Sequence, residues 1–157
     1  MNVKGLIRTT TLGSLALLTG ALLMLTSTAL AKGKPQPLKL TGTTILTPTD
    51  QLGVFEMFNV GQSTYLGNYV NTGWFLIMID DGGNVVTLDG AGTVFAANGK
   101  DYLNWHMEPY TGRVILDGAA EGRFEGAIGY FDSTVLTMDL QTGILTYIGS
   151  GEVTFDH

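Results

Sequence analysis

From residue 38 onward, short runs of Val, Ile, Thr, Tyr and Phe alternate with glycine-containing turns. No segment of this region shows a convincing helical period. The clearest turn signals are DDGGN (80–84), AANGK (96–100), YTGR (110–113) and LQTG (140–143). Glycine and asparagine at such positions favour hairpin turns. Their spacing of roughly 8–16 residues is near that of an all-β sandwich or barrel.

Two runs alternate in polarity with the period of a strand. In ILTYIGSGEVTF (144–155) the predicted inner face carries Leu145, Tyr147, Gly149, Gly151, Val153 and Phe155. In NVVTLDGAGTVF (84–95) the corresponding face carries Val86, Leu88, Gly90, Gly92 and Val94. Glycine on an inner face suits a tight barrel bend, where a side chain would collide with the opposite wall. We expect such bends at Gly92 and Gly151.

The run WFLIMI (74–79) breaks this alternation, because six consecutive apolar residues leave no face for solvent. Its Trp, Phe and Ile favour a strand over a short helix. A strand buried on both faces needs a cover on its outer side. We expect that cover to be the N-terminal segment or another subunit.

The N-terminus has the three parts of a secretory signal peptide. Lys4 and Arg8 form a basic region, residues 12–25 form an apolar stretch, and Ala29 and Ala31 occupy the small-residue cleavage positions. The apolar stretch is shorter than the roughly 20 residues that span a bilayer. We therefore predict a signal-peptide helix at 1–31, an extended linker at 32–38 and a single barrel domain at 39–157. The predicted location is secreted or periplasmic.

Composition excludes several classes of function. All fourteen acidic residues, but only six of the eight basic ones, lie after the predicted cleavage site. Nucleic acid and anionic membrane surfaces both require clustered Lys and Arg, so we expect neither as a partner. The chain has no cysteine, which excludes disulfides, thiol catalysis and zinc sites of the cysteine type.

The segment GRFEGAIG (122–129) resembles a motif of the plant allene oxide cyclase and dirigent barrels, a Gly-x-Phe-x-x-Ala-x-Gly pattern. Gly122, Phe124, Ala127 and Gly129 carry it here. Supporting pieces are TYLGNY (64–69), FAANGK (95–100) and the closing TGILTYIGSGEVTF (142–155). The chain is also similar to secreted bacterial proteins of that barrel group. The resemblance implies a closed, antiparallel, eight-stranded, calycin-like barrel that is often oligomeric.

The catalytic residues of the cyclase family carry over poorly. That family uses a Glu and an Asn two residues apart on an early strand, together with a proline and a cysteine. In VFEMFN, Glu56 is followed two positions later by Phe58, and Asn59 comes one residue late. That offset places Asn59 on the opposite face of a strand from Glu56. A cyclase- or dirigent-type enzyme with Glu56 as its acid therefore remains an alternative only.

No other motif indicates catalysis, a metal site or a cofactor. His106 lies in DYLNWHMEPY (101–110), where alternation places it beside Glu108 on one strand face. Such a pair could act as acid and base, but a solvated outer face produces the same pattern. His157 is terminal. We assign no catalytic residue, no metal ligand and no cofactor.

The aromatic residues indicate a ligand. Small barrels either fill with side chains or hold one small molecule. We take Glu56, Tyr69, Trp74 and Trp105 as candidate ligand-binding residues, although core packing explains the aromatic ones at least as well. The sequence thus predicts a secreted, non-enzymatic barrel that binds a small apolar or aromatic molecule in its lumen. The alternatives are an interaction module that forms a homo-oligomer through its outer faces, and the enzyme named above. We expect no membrane association after cleavage of the signal peptide.

One further expectation concerns residues 120–131, which should form a tight turn that leads into a strand. Phe124 should plug one end of the barrel. Gly122, Gly126 and Gly129 should permit the chain to turn there. Arg123 should pair with a nearby acid at the rim.

Overall fold

The computed structural model describes residues 33–82, 85–119 and 121–156. The predicted signal peptide, residues 1–31, lies outside the described residues. The described chain is all-β. Its strands are β1 (Gln36–Pro48), β2 (Val54–Ser63), β3 (Gly67–Ile79), β4 (Val85–Ala96), β5 (Tyr102–Met107), β6 (Arg113–Gly118), β7 (Ile128–Asp139) and β8 (Ile144–Thr154). In the part of the chain covered by these ranges, no helix is long and apolar enough to cross a membrane.

The eight strands form one closed antiparallel barrel, as expected. Each strand pairs with the next, and β8 pairs with β1 to close the sheet. Consecutive strands can pair because the glycine turns between them are short. Closure leaves no free sheet edge, which removes the usual route to edge-to-edge aggregation.

The predicted linker is too long by three residues, because β1 already begins at Gln36. Pro37 lies opposite Glu152 of β8, whereas the pairing of β1 with β2 starts only at Leu40. Pro37 therefore lies where β1 has a neighbour on one side only, and a strand tolerates proline at such an edge position. The linker reading followed from the prolines of KGKPQP, which disfavour a helix but permit the end of a strand.

The alternation predicted for β8 is confirmed. Tyr147, Gly149 and Val153 are buried on the inner face, while Ile148 and Ser150 between them are exposed. The same alternation in β5 buries Leu103, Trp105 and Met107, and exposes Asn104 and His106 between them.

The alternation predicted for β4 holds for Gly90 and Val94, which are buried, but is wrong for the residues before Leu88. A register shift against β3 pairs Leu76 with Asp89 but Ile77 with Thr87, which leaves Leu88 as a bulge. Because of this extra residue, each side chain before it in the strand points to the opposite face from the one predicted. Val85 and Thr87 consequently line the lumen in place of Val86. A second bulge at Leu136 similarly shifts β7 against β8.

Gly92 and Gly151 closely approach a neighbouring strand, and not the opposite wall that we expected a side chain there to meet. A Cβ on Gly92 would collide with the carbonyl oxygen of Thr72 and lie 2.7 Å from the Trp105 ring. A Cβ on Gly151 would collide with the carbonyl oxygen of Tyr130.

One end of the barrel is closed by Phe124, whose side chain is 1% exposed. This confirms the predicted plug. Its ring lies 6.1 Å from that of Phe155 between centroids, and Phe155 in turn packs edge-on against Tyr65 at 5.2 Å. Gly122 and Gly126 adopt positive φ in the turn before β7, which glycine does at least cost.

The expected pairing of Arg123 with an acid takes another form, because Asp101 accepts from the backbone N–H of Arg123 and the guanidinium contacts other groups. Its guanidinium donates to the carbonyl oxygen of Tyr65 and lies 4.7 Å above the centre of the Phe124 ring. Its backbone N–H donates to Asp101 Oδ1 at 3.4 Å. Arg123 therefore clamps the plug from outside, joining the corner to two neighbouring turns.

The run WFLIMI forms the last part of β3, as a strand. Phe75 and Ile77 face the lumen, while Trp74 and Met78 are exposed on the outside. Among the described residues of this single chain, no segment covers this outer face.

Candidate functional site

The lumen is open at the end opposite Phe124 and contains a cavity of about 280 Å³. The open end is framed by the connections β1–β2, β3–β4, β5–β6 and β7–β8. An apolar cavity of about 150 Å³ can already hold benzene, so this space suits a molecule of roughly two rings. The lining consists of Thr44, Leu46, Met57, Asn59, Asn71, Phe75, Ile77, Val85, Thr87, Trp105, Met107, Val114, Phe131, Ser133, Val135, Met138, Leu145 and Tyr147. None of these side chains is charged.

A row of polar side chains crosses the inner face of three neighbouring strands. Thr44 on β1 is paired with Asn59 on β2, and Asn59 is paired with Asn71 on β3. Side chains at paired positions point to the same face of a sheet, with Cβ atoms about 5 Å apart. These three residues, called here the polar row, are the main polar part of an otherwise apolar cavity.

The amide of Asn59 connects the polar row to two buried tyrosines. Its Nδ2 donates to Thr44 Oγ1 at 2.7 Å and to the Tyr147 hydroxyl at 2.8 Å. The hydroxyls of Tyr147 and Tyr69 lie 2.8 Å apart, and the Tyr69 hydroxyl donates to the carbonyl oxygen of Thr41 at 3.1 Å. Because a carbonyl only accepts, the bonds form a chain that runs from Asn59 through Tyr147 and Tyr69 to Thr41.

Both tyrosines remain protonated well into the alkaline range. Burial raises the pKa of Tyr69, and the negative charge that Tyr147 would carry raises it further. Burial also raises the pKa of Tyr147, although the Asn59 amide donates to its oxygen. At neutral pH these groups thus act as neutral hydrogen-bonding groups and not as bases.

The predicted ligand-binding residues divide into two inside and two outside. Trp105 lines the cavity, is 4% exposed, and donates from Nε1 to Asn71 Oδ1 at 2.9 Å. Tyr69 lies beneath the cavity in the hydrogen-bond chain described above. Tyr69 and Trp105 therefore lie at the lumen, and their hydrogen-bond partners there, Tyr147 and Asn71, were not among the predicted site residues.

The expected positions of Glu56 and Trp74 in the lumen are wrong. Glu56 is exposed on the outer face of β2, and Trp74, 38% exposed, is paired with it on the outer face of β3. Trp74 is five residues from Tyr69 on a strand without an intervening bulge, so the two must point to opposite faces. The hypothesis of an enzyme with Glu56 as its lumen acid is wrong in the placement of that acid.

The acid–base pair considered for His106 and Glu108 is replaced by a different contact. His106 Nδ1 lies 2.7 Å from Asp117 Oδ2, and both side chains are about half exposed on the outer face. This position agrees with a solvated strand face. Across the described ranges, no group of three or more His, Asp or Glu could hold a metal ion.

Sequence reasoning missed the polar row and selected Tyr147 only as an inner-face residue. A usable signal was present, because Asn71 is two residues from Tyr69 and Tyr147 lies on the predicted apolar face of β8. A polar residue at an inner position of an alternating strand must find partners inside the barrel.

The hydrogen-bond chain predicts a pH dependence. Since the folded pKa of Tyr69 and Tyr147 is raised above the unfolded value near 10, their contribution to stability is complete below about pH 10 and is lost as pH rises above it. In alkaline titration followed at 295 nm, Tyr69→Phe should leave the native absorbance change between pH 9 and 11 unaltered, because burial raises the pKa of Tyr69 far above that range. In guanidinium the same variant should lower the absorbance change by one tyrosine in six. A smaller native change for Tyr69→Phe would contradict the assignment.

No protein-family model matches the chain, and no curated protein matches it significantly.

Proposed function

We propose that this protein is a secreted or periplasmic, non-enzymatic barrel of the allene oxide cyclase-like type that binds one small apolar or aromatic molecule in its lumen. The observation that supports this proposal is the open cavity, which is walled by apolar side chains and Trp105. A barrel whose lumen served only as a core would be expected to fill it with side chains, as barrels of this size can.

The absence of charge from the lining also favours binding over catalysis. General acid–base catalysis needs a group whose pKa lies near the working pH. The titratable side chain in the lining is Tyr147, whose pKa burial raises away from neutrality. Side chains of this kind can orient a neutral ligand by hydrogen bonds.

Binding is tested with 2-isopropylnaphthalene, an apolar molecule of two rings. The chain has two tryptophans, so Trp74→Phe leaves Trp105 as the single reporter of the lumen. We expect saturable quenching or a spectral shift of Trp105 fluorescence and a ligand-dependent rise in melting temperature. Failure of two-ring and one-ring hydrocarbons alike to produce either signal would refute the proposal.

Self-association is a second candidate function, supported by apolar residues on the outside of the barrel. Val70 on β3 is paired with Val60 on β2 and with Phe95 on β4. Two residues before Val60, Phe58 is paired with Ile45 on β1. All five side chains are exposed by 38–47%. Contiguous exposed apolar surface of this kind is typical of protein interfaces.

We expect the mature protein to sediment as a dimer or larger oligomer through this outer patch, and Val70→Lys to shift it to monomer because a lysine would be buried unpaired. Ser150→Lys, on the outer face of β8, serves as the control and should leave the mass unchanged. A wild-type protein that is monomeric at high micromolar concentration would exclude this second function.

A further inference from the structure

The side chains around the polar row carry more polar hydrogens than the hydrogen bonds among them use. Asn59 Nδ2, Tyr147, Tyr69 and Thr44 together carry five polar hydrogens. Four hydrogen bonds use them, with acceptors on Thr44, Tyr147, Tyr69 and Thr41. The one left over belongs to the hydroxyl of Thr44, which lines the cavity.

Asn71 adds further donors to the same row. The indole N–H of Trp105 can only donate, so the atom of Asn71 that it meets must be the carbonyl oxygen. This contact fixes the orientation of the amide. Within the described part of the chain no acceptor is bonded to the remaining Nδ2 of Asn71, and Asn71 lines the cavity.

The unused acceptor of the row is not available to a ligand. The atom Asn59 Oδ1 is itself buried and has no hydrogen-bond partner among the described residues. It lies on the side of Gly42, where a Cβ would come within 2.9 Å of it. Exchanging the oxygen and nitrogen of Asn59 would bury two unpaired hydrogens in its place, so the observed orientation is the better one.

The surroundings of the open end disfavour anions. Three of the connections that frame the opening carry an acid, namely Asp50, Asp81 and Glu108, and Asp139 ends β7 directly before the fourth. Backbone N–H groups of Gln141 and Thr142 lower the pKa of Asp139, which keeps it ionised. Arg113, a basic residue at this end, already donates to Asp132 through two hydrogen bonds of 2.9 and 3.0 Å.

We propose that the lumen selects a neutral apolar molecule bearing a hydrogen-bond acceptor, such as a ketone, aldehyde or ester carbonyl, which receives hydrogen bonds from Asn71 Nδ2 and the Thr44 hydroxyl. This inference rests on the proposed function and names the chemistry of its ligand. Thr87 and Ser133 also line the cavity, and their hydroxyls can serve donors or acceptors, whereas the oxygen of Thr44 already accepts from Asn59 Nδ2 and leaves its hydrogen to donate. The selectivity therefore comes from the polar row.

Three ligands of almost equal shape test this selectivity: 2-acetylnaphthalene, 2-isopropylnaphthalene and 2-naphthoate. We expect the ketone to bind about 3- to 10-fold more tightly than the hydrocarbon, because it pairs donors that the hydrocarbon leaves unpaired. We expect the carboxylate at pH 8 to bind at least about 100-fold more weakly than the ketone, since no cation in the lining compensates its burial.

Two variants test whether the polar row is the source of the selectivity. In Asn71→Leu and in Thr44→Val, the ratio of the ketone and hydrocarbon dissociation constants should fall towards one, whereas Asn104→Leu on the outer face of β5 should preserve it. A purely structural role would weaken both ligands equally and leave the ratio unchanged. Asn71→Leu also removes the partner of Trp105, and Thr44→Val also removes an acceptor of Asn59, so the ratio must fall in both variants for the selectivity to be assigned to the row.

The outcomes separate the two proposals. If the hydrocarbon binds as tightly as the ketone, or if naphthoate binds as tightly as either, the selectivity is refuted while lumen binding stands. If none of the three ligands binds, lumen binding is refuted and the selectivity with it.

Discussion

Phe124→Ala should lower the free energy of unfolding by about 3–5 kcal/mol, the usual cost of truncating a fully buried phenylalanine. Phe124 is 1% exposed and closes the end of the barrel against Phe155, so its removal leaves a cavity that few neighbours can fill. It also removes the ring beneath the guanidinium of Arg123. For a domain of this size the loss corresponds to a fall in melting temperature of about 10–20 °C.

Chemical denaturation and calorimetry measure this effect directly. Tyr110→Ala is the matched control, because Tyr110 lies in the β5–β6 connection, away from the outer patch, and is 79% exposed. Its truncation should change the stability by about 0.5 kcal/mol or less. Equal losses for the two variants would mean that Phe124 does not act as the plug of the barrel.

Ser133→Phe should abolish binding of two-ring ligands, with at least a 100-fold rise in the dissociation constant, and leave the barrel folded. Ser133 lines the cavity from β7 and is exposed to it, so a phenyl ring there has space and occupies the volume that the ligand needs. Filling an apolar cavity is neutral or stabilising where no strain results. The melting temperature without ligand should therefore stay the same or rise.

Ser150→Phe is the control for this variant, since Ser150 is exposed on the outer face of β8. It adds the same side chain outside the lumen and should preserve affinity. Titration calorimetry with 2-isopropylnaphthalene measures both variants. Retained affinity in Ser133→Phe would place the ligand somewhere other than the lumen.

Part of the site could be predicted by counting positions along each strand. On a regular strand, residues an odd number of positions apart point to opposite faces. This rule alone separates Glu56 from Asn59, and Tyr69 from Trp74. Applied to Tyr69, the same rule selects Asn71, which proved to belong to the polar row. It fails for Val86, because the bulge at Leu88 has no unambiguous signature in NVVTLDG.

The sequence by itself determined that this chain is built from antiparallel strands joined by tight turns. Its glycine turns join consecutive strands, its period-2 runs require a buried inner face, and Phe124 in an otherwise glycine-rich corner had to be placed in the core. These are local properties, and local sterics and burial are enough to fix them.

Only the tertiary structure decided what the lumen contains. Pairing of β8 with β1 brings Tyr147 to Asn59 and Tyr69, residues separated by 88 and 78 positions in the chain. The two bulges decide which side chains of β4 and β7 face the cavity. Such contacts depend on register and closure, which involve all eight strands at once, and for that reason no single segment of the sequence contained them.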